Sequence, residues 1–168
     1  MKSTKRMIVL AFLLTMAIML HVVESWLPLP LPVPGIKLGL ANFISLFVIV
    51  AYGWRETLSV ALLRVLLGSL LNGTFLGLTF AMSLSAALIS TTAMVLTYRF
   101  LYPTFSLVGV SVIGAVFHNL TQILVACVVI SSAGLLWYLP YLILFAVPTG
   151  VITGLTARHF MTRIPKWS

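Results

Sequence analysis

The sequence predicts an all-α, polytopic membrane protein: a bundle of six transmembrane helices with both termini in the cytoplasm. Three observations predict it. Hydrophobic residues make up 61% of the 168-residue chain and charged residues only 7%, and the mean hydropathy is +1.19, well above that of a water-soluble domain. The apolar runs are long and unalternating, which suits helices of ~20 residues rather than transmembrane strands of ~9–11 alternating ones. The cations lie in short gaps between these runs and form no basic face with interleaved aromatics. The formal charge of +8 therefore reads as membrane topology and not as nucleic-acid binding.

The first element, at about residues 7–26, follows MKSTKR and has the basic and apolar regions of a secretory signal. No small-residue cleavage site follows it, so it is expected to stay as a first transmembrane helix. Prolines at alternate positions from Pro28 to Pro34 then fix φ and remove donors. An extended, stiff outer lid over about residues 27–37 is the expectation. Further spans are expected at 38–52, 57–71, 75–98, 105–130 and 135–157, the first two of these being short for a crossing. Tight turns join them around residues 53–56 and 99–104. The other outer connections, near Asn72-Gly73-Thr74 and at Ser131-Ser132-Ala133-Gly134, carry glycine-dependent or small polar turn chemistry. With six crossings, Lys2, Lys5, Arg6, Arg55, Arg99, Arg158, Arg163 and Lys166 fall on the side of the termini. The positive-inside rule makes that side cytoplasmic. Residues 1–168 read as a single integral membrane domain, without a tandem repeat or low-complexity linker.

A polar side chain within a span needs a partner, so the few that occur point to sites. Arg64 stands in the apolar run ALLRVLLGSLL, in a chain with no aspartate and only Glu24 and Glu56 as acids. Its guanidinium stays charged and must find backbone carbonyls, water, one of the two acids, or an anion brought from outside. Glu56 precedes it by eight residues on the same helix, roughly 12 Å along the axis. Glu24, three residues after His21, can pair with His21, Lys37 or Arg64; this spacing alone is a poor metal signature, since no third ligand is visible. His118, Asn119 and Gln122 lie at helical spacings that let them share one broad face. They either hydrogen-bond a planar polar ligand or hold neighbouring helices together. In PGIKLGLAN, residues 34–42, the glycines permit close backbone approach and Asn42 carries an amide into the span. Lys37 is either a mobile cation at the site or an anchor snorkelling into headgroups. Cys127, the single cysteine, excludes an internal disulfide framework and a thiolate metal site. Small residues at 68–69, 73 and 77, and at Ser83, Ser85, Ala86, Ala87 and Ser90, suit close helix packing.

Several chemistries are absent. There is no GxxxxGK[ST] loop for ATP hydrolysis, and without aspartate there is no aspartate-rich magnesium site for diphosphate chemistry. No nucleophile, base and acid triad is visible, and no cofactor is expected. The residues speak against an enzyme.

Three blocks, PGIKLGLAN at 34–42, RVLLGSLLNGTF at 64–75 and IGAVFHNLTQILVA at 113–126, come in the order found in the bacterial Gx transporter family. The chain resembles that family over nearly its whole length, and its members are often labelled heptaprenyl diphosphate synthase component I. The family is similar to the substrate-binding S components of energy-coupling factor (ECF) vitamin transporters. The resemblance implies a six-helix protein of the bacterial cytoplasmic membrane that captures a small molecule under outer loop lids. It also implies coupling to a membrane T protein and two ATPase subunits. Pocket residues implied here are Asn42, Arg64, Asn72, His118, Asn119 and Gln122, to which the residue reading adds Glu24 and Lys37. In one departure, the Ala-x-x-x-Ala groove that many S components carry on the first helix is Ala11-x-x-x-Thr15 here.

The expected function is therefore substrate binding for import of a small anionic metabolite: a vitamin, a flavin, or a quinone or isoprenoid precursor. The alternative is a non-catalytic membrane accessory subunit of a prenyl diphosphate synthase, or of a flavin or quinone electron-transfer system. A solitary channel or carrier has the least support, since no inverted repeat or acidic proton relay is visible in the sequence.

Overall fold

Six α-helices carry the chain: α1 (Lys2–Trp26), α2 (Asn42–Tyr52), α3 (Trp54–Leu71), α4 (Leu78–Leu101), α5 (Leu107–Ile130) and α6 (Leu139–Arg163), with a short 3₁₀ helix at Ala133–Tyr138. This is a computed structural model, and it describes residues 2–26, 37 and 39–163. No strand occurs among the described residues. The expected proline lid at residues 27–36 lies outside them, and only Lys37 at its end is described.

Burial is inverted relative to a water-soluble domain. Arg64, Asn42, Asn119 and Gln122 are buried, while Ile8, Phe12, Met19, Leu144, Phe145 and Ile152 are exposed. An outer surface of large apolar side chains, around an apolar core that also encloses polar groups, suits hydrocarbon as the solvent. Four segments are long and apolar enough to cross a bilayer: Thr4–Trp26, Leu78–Leu101, Leu107–Ile130 and Ala133–Met161. This is a multi-pass membrane protein.

Six helices are present as expected, and two of them are short or polar for a crossing. The segment expected at 38–52 becomes helical only at Asn42, because Gly39 takes φ +83°, a left-handed conformation that glycine adopts without strain. The Asn42 and Phe43 amides donate to the carbonyls of Gly39 and Leu40 and close a turn there. The eleven residues of α2 span about 17 Å, against the ~30 Å hydrocarbon thickness. Helix α3 has 18 residues but includes Arg55, Glu56 and Arg64, so it is not apolar enough to count as a span by itself.

Short connections make α2 to α6 alternate in direction, and contacts of Arg6 with Glu56 and of Glu24 with Gly39 set α1 antiparallel to α2. Gly53 alone, at φ +96°, both ends α2 and precedes α3. Ser106 caps α5, its hydroxyl accepting the Gly109 amide at 3.2 Å, which satisfies one of the free donors of a helix start. Alternation collects Lys5, Arg6, Arg55, Arg99 and Arg158 at one end of the bundle. There Arg6 pairs with Glu56, and the Arg6 guanidinium lies 5.7 Å from the Tyr52 ring centroid. Away from that basic end, toward the finish of α1 and the start of α2, lies the polar cluster.

The tightest seam joins α5 and α6. A Cβ at Gly150 would stand 2.6 Å from Val112 Cα, and one at Gly154 would stand 2.7 Å from Val108 Cα. Two glycines four residues apart thus let the backbones touch. The Ser111 and Thr153 hydroxyls meet at 2.8 Å within the seam, and Thr153 also donates to the Thr149 carbonyl.

Candidate functional site

A small cavity is lined by His21 and Glu24 of α1, Lys37 and Gly39 of the following segment, Arg64 of α3, Ser83 of α4 and His118 of α5. Its open space suits about one water molecule. Admitting an organic ligand therefore requires the lining to move apart; Lys37 and Gly39, with the adjoining Leu40, are the part of it held by hydrogen bonds rather than by a helix.

Those hydrogen bonds come from both sides. One carboxylate oxygen of Glu24 accepts the backbone amides of Gly39 and Leu40, the latter at 3.1 Å. From α5, Gln122 Oε1 accepts the Lys37 amide at 3.0 Å. The Lys37 ammonium is 2.8 Å from His21 Nε2 and 3.5 Å from the His21 carbonyl. An ammonium only donates, so this contact makes His21 Nε2 an acceptor and the ring neutral. Burial pushes the Lys37 ammonium down to about 8, against the opposing attraction of Glu24.

Arg64 is 1% exposed. Among the described residues the one ion pair within 4.0 Å is Arg6 with Glu56, so Arg64 has no carboxylate at contact. Its hydrogen bond runs from Nη2 to Asn42 Oδ1 and is long, at 3.4 Å. Its Nε and Nη1, the Asn42 amide nitrogen and both ring nitrogens of His118 are buried without a well-formed hydrogen bond. Gly39 is what allows these groups to crowd together: a Cβ there would stand 2.9 Å from Asn42 Nδ2 and 3.3 Å from His118 Cδ2. A buried guanidinium with unused donors thus stands beside an unused amide and an imidazole that has the Ala86 backbone as a weak partner, an arrangement that chemically complements an acceptor-rich anion.

The residues singled out by sequence divide into three groups. Glu24, Lys37, Arg64 and His118 meet at the cavity, and Asn42 and Gln122 adjoin it through Arg64 and Lys37. Asn72 and Asn119 lie elsewhere. Asn72 donates to the Ser25 hydroxyl at 3.1 Å and ties the end of α3 to the end of α1; Asn119 donates to the Leu142 carbonyl of α6 at 3.0 Å. The broad face expected for His118, Asn119 and Gln122 is thus shared among the cavity, α6 and the segment at 37–40.

Every one of these positions falls within residues 13–160, which match the family described as heptaprenyl diphosphate synthase component I. The chain belongs to that family. No curated protein and no solved structure matches it.

In this heptaprenyl diphosphate synthase component I family member, sequence reasoning placed His21, Gly39 and Ser83 outside its list of site residues. The i, i+3 spacing of His21 and Glu24 was the available signal, because it puts both on one face of α1. Ser83 sits in a row of small residues that reads equally well as packing, and nothing local marks it out. The two acids are widely separated: Glu56 pairs with Arg6 at the basic end, whereas Glu24 holds the backbone of Gly39 and Leu40. They do not converge on a common point where a cation could be held between them.

Proposed function

We propose that this chain is the substrate-binding membrane subunit, the S component, of an energy-coupling factor importer, and that it binds a small anionic metabolite without transforming it. One observation carries the reading. Arg64 is fully buried in a membrane protein without a carboxylate at contact, and its unused donors line a cavity shared with His118. A charge so placed is unfavourable unless something supplies the missing anion.

Other features support the same reading. The positive-inside rule makes the basic end of the bundle cytoplasmic, so the cavity opens from the outer half, where an importer captures its substrate. Ala11 and Thr15 point outward from α1, and the Thr15 hydroxyl is bonded back to the Ala11 carbonyl at 2.9 Å. That leaves a small, largely apolar groove of the kind a T protein can dock against. The separation of the two glutamates deprives the chain of a carboxylate pair for a metal-bound diphosphate, which argues against catalysis.

A second reading is favoured by the family description itself: a non-catalytic membrane accessory subunit of a heptaprenyl diphosphate synthase. Affinity purification from native membranes, followed by reconstitution, separates the two. The importer reading expects a T protein and two ATPases to copurify, and expects the small molecule retained by the chain to accumulate in proteoliposomes only with ATP. Copurification of a soluble prenyl synthase whose activity depends on this chain, with no ATPase module, would overturn the importer reading in favour of the second.

A further inference from the structure

The charges around the cavity do not balance, and the imbalance has a definite size. Glu24, Lys37 and Arg64 are the charged groups that face it, with His21 and His118 as the titratable neighbours from α1 and α5. His21 is neutral because it accepts from Lys37, and His118 is counted neutral beside it. Glu24 accepts two backbone amides through one oxygen, which favours its ionised form; taken as a carboxylate, it offsets one of the two cations and leaves a surplus of a single positive charge. The remaining described basic side chains, Lys5, Arg6, Arg55, Arg99 and Arg158, belong to the other end of the bundle, so the surplus is local.

We infer that the ligand is anchored at Arg64 through one singly charged oxyanion, a carboxylate or a phosphodiester, and that diphosphates are excluded from this site. The inference rests on reading the cluster as a ligand site and adds the charge class of the ligand. One negative charge neutralises the surplus and engages Arg64 Nε and Nη1, with the amide nitrogen of Asn42 and the His118 ring available as further partners. A diphosphate brings several charges to a wall that offers one. Its excess would be buried beside the Glu24 carboxylate, which repels it. The family description names diphosphate chemistry, so this count separates the site from the compound in that description.

The test uses the full chain in phosphatidylcholine nanodiscs, with the thermal unfolding midpoint as readout and benzoate, benzamide and inorganic diphosphate as probes at matched ionic strength. Benzoate is expected to raise the midpoint by roughly 3–6 °C at a tenfold excess over its Kd. Benzamide, its neutral isostere, and diphosphate are expected to leave it unmoved. Arg64→Gln abolishes the benzoate response. Glu24→Gln keeps an oxygen for the Gly39 and Leu40 amides but doubles the surplus, so this variant gains a response to diphosphate; it serves as the positive arm should Arg64→Gln fold poorly. Nanodiscs with phosphatidylglycerol distinguish the source of the charge. An Arg64-dependent rise without added probe, which benzoate then fails to increase, identifies a lipid phosphodiester as the singly charged ligand. Equal effects of benzamide and benzoate, an equal response of the parent to diphosphate, or a benzoate response that survives Arg64→Gln each overturn the inference. An Arg64-dependent benzoate response, together with affinity purification that recovers no ATPase module, would instead count against the importer reading alone.

Discussion

Two polar regions of this bundle invite comparison: the Ser111–Thr153 contact in the α5/α6 seam and the Arg64 cluster between α1, α3 and α5. Both are buried in a protein whose outer surface is apolar. In the seam each hydroxyl has found the other at 2.8 Å, and glycines at 150 and 154 bring the backbones close around the pair. Around Arg64 a full charge has a single long hydrogen bond, and its neighbour Asn42 keeps an unused amide nitrogen. Unpaired hydroxyls and amide atoms also occur elsewhere, at Ser69, Thr91 and Asn119, but among the described residues only at Arg64 is the group left with unused donors a full charge, for which the cost of burial is far larger. The contrast is the physical basis for treating one region as architecture and the other as a site.

The largest expected effect falls on the seam. Gly150→Val would drive a side chain into the Val112 backbone, which cannot step aside, and is expected to destabilise the fold by about 3 kcal/mol, measured as a lowered unfolding midpoint in detergent. Arg64→Gln should do the reverse. It is expected to weaken ligand binding by about thirtyfold, in line with the loss of charge-assisted hydrogen bonds. The midpoint of the ligand-free protein stays level or rises, because removing an unpaired buried charge strands no carboxylate. A fall in stability as large as that of Gly150→Val would show Arg64 to be glue after all.

Next in size is a pH effect confined to the cluster. Lys37 carries its charge below about 8 and loses it above, so raising the pH from 7 to 9 removes the positive surplus that attracts an anion. Affinity is expected to fall by up to about tenfold over that interval, and calorimetric titration of the retained ligand at both pH values checks it. An unchanged affinity would mean that Lys37 holds the segment at 37–40 without contributing charge to the site. The smallest effect belongs to Ser111→Ala, which should cost about 0.6 kcal/mol of stability, the usual worth of one interhelical hydrogen bond in a membrane protein, and leave binding untouched. A loss of binding there would blur the distinction between the two regions.

Much of the helical layout was legible from the chain because long apolar runs admit few alternatives in a bilayer. The start of α2 was not, since the left-handed turn at Gly39 is stabilised by the distant Glu24 carboxylate as well as by its own hydrogen bonds. The His118, Asn119 and Gln122 group shows the limit more sharply. Helical spacing gives the angle at which each side chain leaves α5, but it carries no information about what stands opposite. Lys37 meets one, the Leu142 carbonyl a second, and the cavity the third. The Gly150 and Gly154 pair was not among the small-residue positions read from the sequence, and its meaning depends on Val108 and Val112 lying across from it.

Composition alone determined that Arg64 would be hard to satisfy, because a chain without aspartate has two carboxylates to offer and hydrocarbon offers none. Which groups those carboxylates serve was decided only by the tertiary structure. Folding brings Glu56 to Arg6 across fifty residues and turns Glu24 onto the backbone of Gly39 and Leu40, leaving Arg64 without a carboxylate at contact. Scarcity of a residue type is a property of the sequence, whereas the pairing of a scarce charge depends on long-range contacts that local spacing does not encode.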